Sequence, residues 1–531
     1  MNPLPTTWKM GLDKATRRGG EAEAGARAGA WAGAGATAEA TDARIGNGIW
    51  RGWLISAISP IVAACGLSAC ALGPDYVKPA VQVPPAYKEN IHWLPAASAP
   101  ADGASGGDWW HRFGDAQLDR LEERAMASNQ NLAAAVADYG QAVAIVAQLD
   151  AALSPSVAAV AGASRSRDTS ALERENRYSY YNFTSLHAVA QATWEPDIWG
   201  QARGRIAAAT ASSAGAAAVV GGVRLSLAAA LAGAYFDLRA LDADLHDLEG
   251  EKKQATRLAE MTRAALDQGI GDEDAVANAR NAVDILSAQE ARERALRARD
   301  EHAIAALMGA APADVSIAPV DGYLLPTPDV QAGLPSTLLE RRPDIVQAER
   351  NAAAANANIG VARAAFFPDL ILGADIGGQN TALAGLLSAP ARVWSLGSSL
   401  AVSLFDAGRH SAQLDQAHKE FDAAAARYRA TIIAALQEVE DALATQRRTD
   451  QARGNARQVL DRWEQILQRQ ETQERLGLAT PMNVAHTRID TLEARRQWQA
   501  NLAESTRDRI DLIKSLGGDW AGVEPAPKAG S

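Results

Sequence analysis

The feature that most constrains this chain is that part of it is written twice. Shifted by 208 positions, Gly200 falls on Gly408, Gly269 on Gly477, Val276 on Val484, Arg280 on Arg488 and Gly309 on Gly517. Each copy leaves a strand-like segment, enters a very long helical segment, turns at a glycine and returns along a second helix. A repeat of this size points to a duplicated structural module rather than to one enzyme core. The 531 residues leave room for two to four domains. The apolar fraction is 47%, yet aromatics are only 5% and alanine dominates, the composition of helices packed along narrow seams.

The first long element runs from about Ile198 to Gln268, breaks at Gly269-Ile270-Gly271-Asp272 and resumes to Met308. Its uncharged stretch from Ile206 to Val223 is mostly Ala, Gly, Ser and Thr. Insertion of such residues into a bilayer is weakly driven, and close helix packing accounts for them better. The second copy runs from about Ala407 to Arg475, turns through Leu476-Gly477-Leu478-Ala479-Thr480-Pro481 and returns to Leu516. A shorter helix precedes each strand region. One carries Leu118, Leu121, Ala125, Leu132, Val136, Tyr139, Val143 and Val146 at helical spacing and runs to about Leu153, before Pro155. The other begins near Ser336, with Pro343 in its first turn moving the start as late as Arg342, and ends at Pro368. A helix of about 70 residues spans about 105 Å, and each shorter helix about half of that. Each half can therefore build a column two helices wide, with strands at one end and a glycine turn at the other.

Between those helices lie the strands. In the first half, Ser156 to Ala163 alternates weakly, Arg165 to Arg177 reads as a charged loop, and Tyr178 to Trp194 reads as a second strand. The second pair is clearer. Leu370, Leu372, Ala374 and Ile376 share one face, as do Trp394, Leu396, Ser398, Leu400, Val402 and Leu404, while the opposite faces are mostly small or polar. This dyad pattern fits a membrane β-strand of about 9–11 residues, and equally a half-buried strand of a soluble sheet. Four strands cannot close a membrane barrel, which begins at about eight, and lipid forbids an open sheet edge. If the strands lie in lipid, chains must pool them: two copies reach eight and three reach twelve.

The N-terminus favours lipid. Residues 1–43 are Gly-, Ala-, Glu- and Arg-rich and read as disordered or as a start placed too far upstream. Residues 44–69 read as a signal peptide: Arg44 and Arg51, a short apolar run from Trp53 to Leu67, then small residues. Leu67-Ser68-Ala69-Cys70 resembles the bacterial lipoprotein signal, which implies cleavage before Cys70 and acylation of that residue; Ala71 resembles the outer-membrane sorting class. Cys65 and Cys70 are the only cysteines, so no disulfide framework supports the rest. The boundaries that follow are a lipidated linker over 70–107, a first repeat over 108–310 with its hairpin at 156–194, a connector over 311–335, a second repeat over 336–518 with its hairpin at 369–405, and a tail over 519–531.

The chain resembles the outer-membrane efflux channels of Gram-negative bacteria, the outer-membrane factor family, in its lipoprotein branch. The resemblance rests on the lipoprotein signal, Gly73-Pro74-Asp75-Tyr76, Asp108-Trp109-Trp110 with Phe113 and Asn129, and Leu334-Pro335-Ser336. It also rests on Arg341-Arg342-Pro343-Asp344-Ile345, Glu349, the run from Ala357 to Phe366-Phe367-Pro368, Leu404-Phe405-Asp406-Ala407-Gly408 and the Gly477 turn. It implies a mixed α/β membrane protein: a homotrimer with a twelve-stranded β-barrel, four strands per chain, continued by a long antiparallel α-helical barrel in the periplasm. It further implies docking to a periplasmic adaptor and an inner-membrane pump, with drugs, toxic small molecules or metal ions as passively moved cargo.

The turns at Gly269, Gly271, Gly477, Thr480 and Pro481 match the family's periplasmic tips, where adaptors bind and the tunnel constricts. Asp272 and Asp274 either ring the aperture across subunits or cap the returning helix, and the cap is the simpler account. The resemblance gives Arg342 and Asp344 structural roles in the equatorial region; the plain alternative is an exposed ion pair.

Other classes fail for want of chemistry. A net charge of −11 argues against a nucleic-acid partner. No Gly-rich phosphate loop or nucleophile elbow is present, so neither catalysis nor a cofactor is expected. The eight histidines form no metal motif, and His410 and His418 read as exposed helix surface. The rival from another class is a non-channel periplasmic coiled-coil lipoprotein acting as a structural spacer. It leaves the two apolar-faced hairpins unexplained.

Overall fold

The computed structural model describes residues 72–89, 108–172, 177–330, 332–333, 335–518 and 520, all within one compact unit, Ser68–Ser531. The expectations for residues 1–43, the signal at 44–69, Cys70 and the tail beyond Trp520 lie outside the described residues.

After a short 3-10 turn at Trp109–Phe113 come α1 (Ala116–Ser128) and α2 (Gln130–Asp150). The sequence periodicity predicts one helix here, and the structure divides it at Asn129. Asn129 adopts an extended ψ of 125°, ending α1, and its side chain accepts the Leu132 N–H to start α2. Hydrophobic spacing passes through the break unchanged, because one residue of extended backbone alters direction without altering the spacing of apolar positions.

Strands β1 (Ser156–Leu172) and β2 (Arg177–Trp194) form the first hairpin. Arg165 to Leu172 is strand, not loop: the pairing runs without a slip from Ser156↔Thr193 to Leu172↔Arg177. Charge marks where a strand meets water, not where its ladder ends. Next come α3 (Gln201–Asp267) and α4 (Glu273–Leu307). The second half repeats the order: a single-turn α5 (Leu338–Arg341), α6 (Pro343–Ala364), β3 (Asp369–Asn380), β4 (Arg392–Ala401), α7 (Arg409–Arg475) and α8 (Pro481–Ser515). Pro343 occupies the first helical position of α6, where its missing N–H costs nothing. The two long helices have 67 residues each, and the two returning helices 35 each.

Both long helices start in the same way. Gly200 and Gly408 take left-handed φ of 79° and 88°, and a carboxylate just upstream receives the first free N–H groups. Asp197 accepts from Ala202 and Arg203, and Asp406 from Gly408 and His410.

The sheet order is β1-β2-β3-β4, antiparallel throughout, so the two halves join through β2 and β3. Below it, α3 packs against α2, α4, α6 and α8, and α7 against α6 and α8. The small residues of α3 allow this. A Cβ on Gly204 would meet the Val361 side chain at 2.9 Å, and Ala208, Gly215, Ala217, Ala218 and Gly221 are buried. The thickest core lies midway, where Trp109, Trp110, Phe113, Leu118, Tyr235 and Phe236 meet Ile304, Met308, Tyr428 and Ile513.

Candidate functional site

Three places carry the sequence expectations: the sheet, the helix bundle beneath it and the two glycine turns. Pairing fixes which strand residues share a face. Trp394 pairs with Ile376, Ile376 with Ala190, and Ala190 with Ala159, so these four lie on one face. Trp394 and Leu396 on that face are 77% and 78% exposed. The other face holds Gln191, Asp375 and Ser395, which are register neighbours; Ser395 Oγ donates to Asp375 Oδ2 at 2.8 Å. Within one chain β1 and β4 pair on one side only, leaving two open edges beside an apolar face.

At the foot of the strands, Phe366, Phe367 and Pro368 fasten both halves. Phe367 stacks on Trp199 at 4.8 Å, and the Trp199 indole donates to the Pro368 carbonyl at 2.8 Å. Phe366 meets the His410 ring edge-on at 5.6 Å. His410 is thus partly buried against Phe366 and Asp406, not an exposed surface residue. His418 is partly buried as well. Sequence spacing could not show this for His410, because the covering ring of Phe366 comes from the far side of a strand pair.

The equatorial motif is more than a surface ion pair. Arg342 is buried and forks onto Asp344 (Nε to Oδ1 3.0 Å, Nη2 to Oδ2 2.6 Å), while Nη1 donates to Glu438 at 2.7 Å and to the Ser515 carbonyl at 2.9 Å. It thereby ties the start of α6 and the middle of α7 to the last turn of α8. Burial opposes its charge, but the hydrogen bonds to Asp344 and then Glu438 outweigh burial and hold the guanidinium above its ordinary value. The Arg341 carbonyl is closely covered: a Cβ on Gly517 would lie 2.4 Å from it. This cluster lines a cleft of about 520 Å³ between α3, α7 and α8.

At the tips, Gly269 and Gly477 have φ of 77° and 73°, and each closes a helix with paired backbone bonds. Ile270 N donates to Ala265 O, and Leu478 N to Gln473 O. Gly271 is required by space, since a Cβ there would lie 2.5 Å from the Leu266 nitrogen. Asp272 caps α4, accepting the Asp274 N–H at 3.1 Å, and Asp274 lies in the first turn. Thr480 caps α8 by accepting from Asn483, and Pro481 is the first helical residue. Both aspartates are exposed, as are Ile270, Leu476 and Leu478 beside them.

Sequence reasoning missed the buried polar contacts between helices. Asp115 accepts from Tyr323 at 2.6 Å and Tyr235 at 2.8 Å; burial would raise its carboxyl, but these bonds hold it below the usual range. Glu122 is fully buried and is pushed up to about 9 by burial, with Asp108 and Asp119 adding to the effect. Arg496 of α8 reaches Asp244 (2.8 and 3.1 Å) and Glu251 (3.2 Å) on α3 and Glu293 (3.3 Å) on α4. A charged residue on a long helix reads from sequence as solvated, and only the facing helices show Arg496 to be partly buried and ion-paired. Among the described residues no group of three His, Cys, Asp or Glu side chains is arranged to hold a metal.

The profile described as "Outer membrane efflux protein" matches residues 121–310 and 334–518. Outer membrane protein OprJ of Pseudomonas aeruginosa is 30% identical over 487 residues, covering 87% of this chain and 96% of that protein. Cation efflux system protein CusC of Escherichia coli is 28% identical over 462 residues, covering 87% and 98%. Among solved structures, the outer-membrane channel OprN superposes with a TM-score of 0.73 at 27% identity, over 85% of this chain and 99% of that one. The apolar-faced sheet on a long-helix bundle and these matches agree, and the chain belongs to the outer membrane efflux protein family: it is the outer-membrane channel component of a tripartite efflux system, not an enzyme.

Proposed function

We propose that three copies of this chain close their sheets into one twelve-stranded barrel, continued by the helices as a periplasmic tunnel through which drugs or other toxic small molecules leave passively. The observation that carries this reading is the sheet, whose two unpaired edges, β1 and β4, flank an outward apolar face. In lipid such edges have no partner but another strand, and four strands fall well short of the roughly eight at which membrane barrels begin. The exposed apolar residues Val136, Val143 and Ile145 of α2 also await cover by a neighbouring copy. A periplasmic spacer would need none of this.

Acylation of Cys70 fits where the chain resumes. Gly73 packs onto Gly360, and Arg363 reaches toward the Leu72 carbonyl at 3.5 Å, alongside the end of α6 just before β3 begins. A lipid on Cys70 would then enter the inner leaflet beside the foot of the barrel. The tips formed by Gly269, Gly271, Asp272, Asp274, Gly477, Thr480 and Pro481 are the docking points for the periplasmic adaptor, which links the channel to an inner-membrane pump. Exposed Ile270, Leu476 and Leu478 supply the apolar contact there. A metal-ion duct of the same family is the second reading, on the likeness to CusC.

Purified protein should migrate as a heat-modifiable trimer and give single-channel conductance in planar lipid bilayers. A monomer without conductance would overturn the reading. Deletion of the gene followed by a panel of organic toxicants and metal salts separates the two cargo classes.

A further inference from the structure

We infer that each seam of the closed barrel carries an outward-facing site for the phosphate groups of an anionic outer-leaflet lipid, built from Arg392 on β4 and from Arg165 and Arg167 on β1 of the next copy. The inference rests on the trimeric closure proposed above.

The face follows from the register. Arg392 stands two residues before Trp394 and so shares its outward face, and it is exposed. On β1 the ladder to β2 has no slip, so the odd positions Val157, Ala159, Ala161 and Ala163 hold one face, which the pairing of Ala159 through Ala190 and Ile376 to Trp394 identifies as outward. Arg165 and Arg167 continue that face and are exposed.

The height follows from strand direction. Strand β4 descends toward α7 and β1 rises away from α2, so Arg392 opens β4 at its end far from the helices, and Arg165 and Arg167 lie past the middle of β1 in the same direction. The exposed apolar residues Trp394, Leu396 and Leu400 of β4, with Val402 and Leu404 just past its end, extend over about the 9–11 residues that cross a bilayer, which puts Arg392 where hydrocarbon gives way to headgroups. On β1, Arg165 is the first charged residue on the outward face after Val157, Ala159, Ala161 and Ala163.

Closure must join β4 to β1 of the neighbouring copy, because these are the two edges left unpaired. The three arginines then stand on adjacent strands, on one face and just above the apolar band. A guanidinium there is inexpensive, since its cost is large at the midplane and falls away toward the interface. Its planar fork suits phosphate oxygens, with charge-assisted bonds on two N–H groups at once.

The test is native mass spectrometry of the detergent-solubilised trimer titrated with diphosphoryl lipid A, with its dephosphorylated form and with inorganic phosphate. The wild type should take up diphosphoryl lipid A and retain little of the dephosphorylated lipid, and inorganic phosphate should not displace the lipid. The Arg165→Gln/Arg392→Gln variant should bind about tenfold more weakly, and Arg165→Lys/Arg392→Lys should keep most of the binding. Equal retention of both lipids by the wild type, or unchanged binding by the Gln variant, would overturn the inference. The same spectrum reports oligomeric state, so a wild type that is not trimeric refutes the proposed function instead. Should the Gln variant fail to assemble, the wild-type preference between the two lipids still decides.

Discussion

Asn129 offers the sharpest test of how the helices are set beneath the sheet. Its Oδ1 accepts the Leu132 N–H at 2.9 Å, capping α2, while its Nδ2 donates to the Leu307 carbonyl at 2.8 Å, in the last turn of α4. Only 7% of the residue is exposed. Asn129→Ala removes both bonds. Loss of a helix N-cap costs about 1 kcal/mol, and leaving a shielded carbonyl without a donor costs about 1–3 kcal/mol, so the sum is about 2–4 kcal/mol per chain. Asn129→Ser keeps a capping oxygen but cannot reach Leu307, and should recover the first of these terms. Urea unfolding in detergent, followed by the fluorescence of Trp109 and Trp110 buried next to α1, reads the difference through the midpoint at unchanged slope. An Ala variant within about 0.5 kcal/mol of wild type would refute the double-bond account, and equal losses for Ala and Ser would refute the cap.

Other outcomes follow from the same geometry. Leu396→Arg sets a charge on the outward face and should cost about 2–4 kcal/mol, cutting heat-resistant trimer in the outer membrane, whereas Ser395→Arg on the opposite face should assemble; equal yields would contradict the face assignment. Burial pushes Glu251 up to about 7, against the pull of Arg496. A carboxyl raised on folding binds its proton more tightly in the folded state, so its stabilisation is full below the ordinary carboxylate range and is lost as pH rises through about 7. Hydrogen-exchange protection factors of α8, taken relative to the intrinsic rate at each pH, should therefore be higher at pH 5 than at pH 8, and Glu251→Gln should flatten that difference. At the tip, Asp272→Asn keeps the cap and removes the charge, while Asp272→Ala removes both. If the carboxylate also lines the aperture, both variants lose cation preference in bilayer recordings and only Ala destabilises α4, by about 1 kcal/mol.

The long helices, the glycine turns and the second hairpin were legible in the sequence alone. These depend on local rules: alanine and glycine spacing along a helix, left-handed glycines at Gly269 and Gly477, and strict alternation from Trp394 to Leu400. The match of Arg341 to Pro368 with a family motif was legible there too, because it is contiguous. Tertiary structure decided what depends on partners distant in the chain. Asn129 breaks a helix because Leu307 receives its amide, Arg165 to Leu172 is strand because β2 runs beside it, and His410 is covered because Phe366 arrives from beyond two strands. The buried carboxyl of Glu122 and the partly buried ion pairs of Arg496 follow the same rule. A helix shows its own spacing in sequence, but which of its faces is dry depends on the helix that packs against it.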